Sequence, residues 1–144
     1  MHPRTEQMLR HLDANRAVLR AAVDGVPQHR RETRPTPDRW SVAEVLEHLA
    51  RVEDGLTRLL TKRLAEANAA SAFESDADTA SVVDSIPNEL LLDRRHRITA
   101  SERVTPSGEL TSEAAWSALE VARTKLKELV SSYDGRDISE TASR

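Results

Sequence analysis

A chain of 144 residues, 38% hydrophobic and 31% charged, has the length and apolar content of one domain with its own core. A net charge of −3 removes the electrostatic basis for nucleic-acid binding, and the lack of cysteine removes disulfides, thiolate metal sites and a cysteine nucleophile. No apolar run approaches the ~20 residues of a membrane span, and the N-terminus MHPRTEQMLRHLDANR is too polar for a secretory signal; the expectation is a cytoplasmic protein with no nucleic-acid or membrane partner.

Thr5 to Val23 reads as the first helix. Met8, Leu12, Asn15, Leu19, Ala22 and Val26 recur every three or four residues, and Leu9 and Val23 widen the face. Asn15, the one polar member, reads as a register-setting or boundary residue. Gly25, in a left-handed turn, and Pro27 are expected to end the helix. Gln28 to Arg39 is a polar connector stiffened by Pro35 and Pro37. His2, His11 and His29 lie in polar surroundings and read as surface residues. The four glycines form no GxGxxG or GxxxxGK[ST] phosphate loop.

Trp40 to Leu64 is the most informative stretch. Ser41 followed by Glu44 makes a capping box, with Trp40 and Val45 placed as a hydrophobic staple. Val42, Val45, Leu46, Leu49, Val52, Leu56, Leu59 and Leu60 then mark one face, expected to be buried. His48 lies three residues after Val45 and four before Val52, on the edge of that stripe. Its residue context leaves two readings open, a hydrogen-bonded flanking residue or a ligand.

Beyond Leu64 the pattern loosens. Glu66 to Thr79 reads as a surface loop or a frayed helix end, and Val82, Val83 and Ile86 as one or two helical turns before Pro87. A Leu90–Leu92 patch follows, then the basic run Arg94–Arg95–His96–Arg97, which, like Arg30–Arg31, reads as solvated loop charge. A connection of this length can return along the ~39 Å of a 26-residue helix, so the second and third helices are free to lie parallel. Thr111 or Ser112 caps the third helix, whose stripe is Ala115, Leu119, Ala122, Leu126, Leu129 and Tyr133, flanked by Trp116 and Val130. Gly135 closes it, giving one domain over 1–135 and a polar tail or linker over 136–144.

The expected fold is all-α, with long helices near 5–24, 41–66 and 111–133 and no sheet. Three stripes of this width need a fourth apolar surface. Either the stretch from Val82 to Leu92 or a second copy of the chain supplies it. Pro87 breaks the first candidate into short pieces, so a homodimer is expected.

The segment RPTPDRWSVAEVLEHLARVEDGL resembles the signature of the DinB-like superfamily, bacterial metal-binding four-helix bundles: a proline-containing connector, a Trp–Ser helix start, a His–Leu pair and a Glu five residues after the His, here Trp40, Ser41, His48, Leu49 and Glu53. The stretch VTPSGELTSEAAWSALEVARTKLKELV is similar to that family's Pro–Gly approach to its third helix. The resemblance implies an up-and-down bundle with a long crossover between helices two and three. It also implies a divalent metal, zinc or nickel, held by three histidines, of which His48 corresponds to one. The other two come from a later helix, and no histidine follows His96 in this chain. That helix is expected to be missing from this chain or supplied by another, leaving an incomplete site that holds metal weakly. Glu44, four residues before His48, is placed to orient its ring, although capping competes. The function so implied is a metal-dependent enzyme of the thiol-transferase or hydrolase type acting on a small-molecule thiol. The alternative is a non-catalytic helical interaction module in which His48 is structural.

Overall fold

The first helix, α1 (Pro3–Asp24), starts two residues earlier than its apolar stripe requires. Pro3 occupies the first turn, where its missing N–H costs nothing, and the His2 ring accepts from Arg4 N at 3.3 Å as a cap. In the computed structural model, which describes residues 1–69, 79–86, 89 and 100–136, the other long helices are α2 (Val42–Ala69) and α3 (Ser112–Ser132). Short 3-10 turns cover Val83–Ser85 and Glu102–Val104. No strand occurs among the described residues, and no described helix is long and apolar enough to cross a membrane. The Leu90–Leu92 patch, the Arg94–Arg97 run with His96, Pro87 and tail residues 137–144 lie outside the described residues.

Three local expectations change. Gly25 is right-handed, φ −70°, so its N–H simply continues the ladder to Ala21 O, and the stop falls to Pro27. Helix α2 runs to Ala69, beyond its expected end near 64–66. Buried Leu64 anchors its last turns, and Ala65, Glu66 and Ala67 are strong helix formers. Asn15 leaves the stripe of α1, hydrogen-bonding His11 at 2.9 Å on the exposed side, and Arg16 takes the inward position.

Side-chain pairings fix the helix directions. Arg16 meets Glu120, Asp13 meets Lys127, and His2 N donates to Asp134 Oδ1, so α1 is antiparallel to α3. Glu47 sits beside Ser107, ahead of α3, and Glu53 pairs with Arg123. Thr57 and Thr61 border the same groove as Glu128 and Ser132. Helices α2 and α3 therefore run parallel, as a long crossover permits.

The core lies mainly between these two helices. Leu46, Ala50, Ala115 and Leu119 form it with Val23 of α1, and Leu19, Val42, Leu49 and Trp116 pack around them. Ala122 and Leu126 continue the α3 stripe inward, as its spacing predicts. Helix α2 keeps Val42, Leu46 and Leu49 of its expected stripe in or against this core but turns much of the rest away. Its buried face is Ala43, Leu46, Glu47, Ala50, Thr57 and Leu64, whereas Val45, Val52, Leu56 and Leu59 remain 38–50% exposed. The alanines let the helix backbones approach closely, so the face carrying Ala43 and Ala50 meets α3 while Val45, Val52, Leu56 and Leu59 point away. Trp40 accordingly packs against His48, with ring centroids 5.0 Å apart, while the staple partner Val45 stays exposed.

Candidate functional site

The N-terminal turns of α2 carry the polar constellation nearest the family-type histidine. The capping box forms in both directions: Ser41 N donates to Glu44 Oε1, and Glu44 N donates to Ser41 Oγ, each at 3.1 Å. Arg34 completes it from the proline-containing connector, its Nε 2.8 Å from Oε1 and its Nη2 2.6 Å from Oε2 of Glu44. This bidentate fork, followed by the Ser41 bonds, outweighs burial and holds the Glu44 carboxyl at about 2 instead of 4.5. Glu44 is thus committed to the cap and Arg34, and the structure gives the orientation of His48 to another group.

The depressed value has a signed consequence for stability. The folded state favours the ionised carboxylate, so the contribution is fully present above about 4.5 and is lost as pH falls towards about 2. Solvent at half-exposed Arg34 screens the pair and weakens this contribution. The urea midpoint of Arg34→Ala is expected to lie below that of wild type near neutrality, and the two are expected to converge as pH is lowered through this window.

The loop that leads into α3 is fastened to the same turns of α2. Buried Glu47 accepts from both Ser107 N and Ser107 Oγ, the latter at 2.7 Å, with Arg51 at 3.4 Å on its outer side. Gly108 follows with φ +78°, a conformation that favours glycine, and even a Cβ there would lie 3.7 Å from Glu44 Oε2. His48 Nδ1 lies 2.8 Å from Val104 O. A carbonyl only accepts, so Nδ1 carries the proton, and in the neutral ring the lone pair sits on Nε2. Nε2 has no hydrogen-bond partner among the described residues. His48 is half-buried between Trp40 and this loop, and presents the nitrogen that a metal or a proton can take.

Glu53 has a different office. It pairs with Arg16 of α1, at 3.1 Å, and with Arg123 of α3, whose Nη1 also donates to Leu12 O at 2.8 Å. Burial, then the neighbouring Arg123, pulls Arg16 below its ordinary pKa, and Glu53 and Glu120 oppose that pull. Glu53 thus ties three helices together by charge. No group of three or more His, Asp or Glu that could hold a metal occurs among the described residues. Sequence spacing pointed to Ser41, Glu44 and His48. It missed Arg34, Glu47 and Ser107, which act across 10 to 60 positions of chain, and the Val104 carbonyl, which has no side-chain signal.

The all-α bundle, with its Trp–Ser helix start and half-buried histidine, is that of the DinB-like superfamily. Within it, the chain belongs to the mycothiol-S-transferase family, whose model matches residues 7–133. Neither the curated proteins nor the solved structures gave a match.

Proposed function

We propose that the chain is an S-transferase for a low-molecular-weight thiol of the mycothiol type, with His48 as one ligand of a divalent metal, zinc or nickel. The family supports the transferase class. The observation that carries the site is the fixed ring of His48: Nδ1–H is held by Val104 O, and the Nε2 lone pair is unengaged among the described residues. His48 Nε2 offers one donor, and no group of three or more His, Asp or Glu that could complete a metal site occurs among the described residues. A divalent ion held there would supply thiol acidification, favouring the thiolate at neutral pH. The chain's own residues orient the imidazole through Val104 and shield one side of it with Trp40. With no cysteine in the chain, the attacking sulfur belongs to the thiol substrate. Its S–C bond to an electrophilic carbon forms as the leaving group departs with the bonding pair, and the thiol proton passes to solvent. We place this chemistry in the cytoplasm. A second copy packed on the exposed Val45–Val52–Leu56–Leu59 face of α2 is part of the reading, since it would cover these side chains and the flank next to His48.

The test uses purified chain, mycothiol and a fluorogenic alkyl halide, with and without excess zinc or nickel. One imidazole binds metal weakly, so S-alkylation is expected to require added metal. It should fall at least roughly 100-fold in His48→Ala, and sedimentation of the same samples at micromolar concentration should show dimer. No metal-dependent alkylation by wild type overturns the enzymatic reading and favours a non-catalytic helical module.

A further inference from the structure

We propose that Glu47 and Ser107 are positioning residues that set the tautomer of His48, an inference that rests on reading His48 as a metal ligand. The group that holds the ring is a backbone carbonyl, and a carbonyl is only as well aimed as its loop. The loop is fixed on both sides of Val104. Before it, Val104 N and Thr105 N donate to Ser101 O at 3.1 and 3.0 Å, and Thr105 Oγ1 donates to the same oxygen at 2.9 Å. After it, Pro106 restricts the backbone, and Ser107 delivers both its N–H and its hydroxyl to Glu47. Glu47 immediately precedes His48 on α2. The carboxylate that anchors the loop and the imidazole that reads it are therefore carried by one helical turn, and the carbonyl and the ring keep a fixed relative geometry. Glu47 is buried while Ser107 is solvent-accessible, so the anchor's outer half can be altered without opening the core. A bare Nε2 is the ligating form, and groups that fix a ligand's tautomer typically change metal affinity by 10–100-fold when removed.

The experiment is long-range ¹H–¹⁵N NMR of the histidine rings in the metal-free chain at about pH 8, where an ordinary imidazole is neutral. Wild-type His48 is expected as a single Nδ1–H tautomer with an unprotonated Nε2. Ser107→Ala and Glu47→Gln should each shift its ring nitrogens towards a mixture of tautomers, and Ser107→Thr, which keeps the hydroxyl, should restore the wild-type pattern. Zinc titration of the same samples should show weakening of about 10-fold in the first two and not in the third. A wild-type Nε2–H ring overturns the proposal. So does an unchanged His48 tautomer in both folded variants. The two readings separate cleanly. A tautomer that responds in a chain to which zinc does not bind supports the positioning role and removes the metal. Zinc bound through His48 with an unresponsive tautomer does the reverse.

Discussion

Glu53→Ala is expected to destabilise the fold by about 3–5 kcal/mol, read as a loss of urea midpoint at unchanged slope. Two guanidiniums, Arg16 and Arg123, converge on this carboxylate, and the side chains of all three are only 12–15% exposed. Removing Glu53 leaves two like charges facing each other in a site from which water is largely excluded. The deletion therefore exposes the repulsion between Arg16 and Arg123 as well as losing the pairs. Glu120 compensates little, because it is half exposed and reaches only Arg16. Restoring balance from the other side gives a sharper test. Arg123→Met in the Glu53→Ala background removes one of the stranded charges and is expected to recover part of the loss, since a buried ion cluster is often replaceable by apolar side chains of similar volume. A midpoint for Glu53→Ala within about 0.5 kcal/mol of wild type would mean that water reaches the cluster and that α1 is not held by it.

How much of this was legible follows the range of each signal. Helix limits depend on neighbouring residues. Ser41–Glu44, Thr111 and the Ala115–Leu119–Ala122–Leu126 repeat could accordingly be placed from spacing alone. The length of the connection left α3 free to run parallel to α2 without fixing that direction. The orientation of α2 did not follow, because this helix is apolar on two sides. Pattern reading ranks Val45, Val52, Leu56 and Leu59 above Ala43 and Ala50 by hydrophobicity, whereas close helix approach selects the alanines. The Arg16–Glu53–Arg123 cluster was hidden for another reason. Each member is an ordinary charged residue on its own helix, and only the antiparallel α1 and parallel α2 bring them within reach of Arg123. A trace of it existed in Arg16, which lies four residues after Leu12 and three before Leu19, on the stripe where Asn15 was expected to sit. At the site, position alone left His48 as a hydrogen-bonded flank residue or a ligand, and its partner is a main-chain oxygen 56 residues away, which no residue type announces.

The same contrast between pattern and packing predicts the second large effect. Leu119→Ala is expected to cost about 2–5 kcal/mol, in the upper part of that range. Leu119 is 0% exposed and sits in a core whose other α2 and α3 members include Ala50 and Ala115. An alanine has no rotamer with which to fill space vacated beside it, and two helices already close enough to meet through alanines have little room to move together. The cavity left by the isobutyl group therefore stays largely open, which is the condition that raises the cost of such truncations. On α2, Leu46 is already 1% exposed and Val42 and Leu49 already pack against the cluster, so filling the space with any of them would draw it out of its own packing. On the opposite side of α3, Val121 is 57% exposed, and Val121→Ala should change stability by no more than about 0.5 kcal/mol. Equilibrium urea unfolding of both variants at one protein concentration provides the comparison. A small loss for Leu119→Ala, similar to that for Val121→Ala, would place the real core elsewhere, on the aliphatic face of α2.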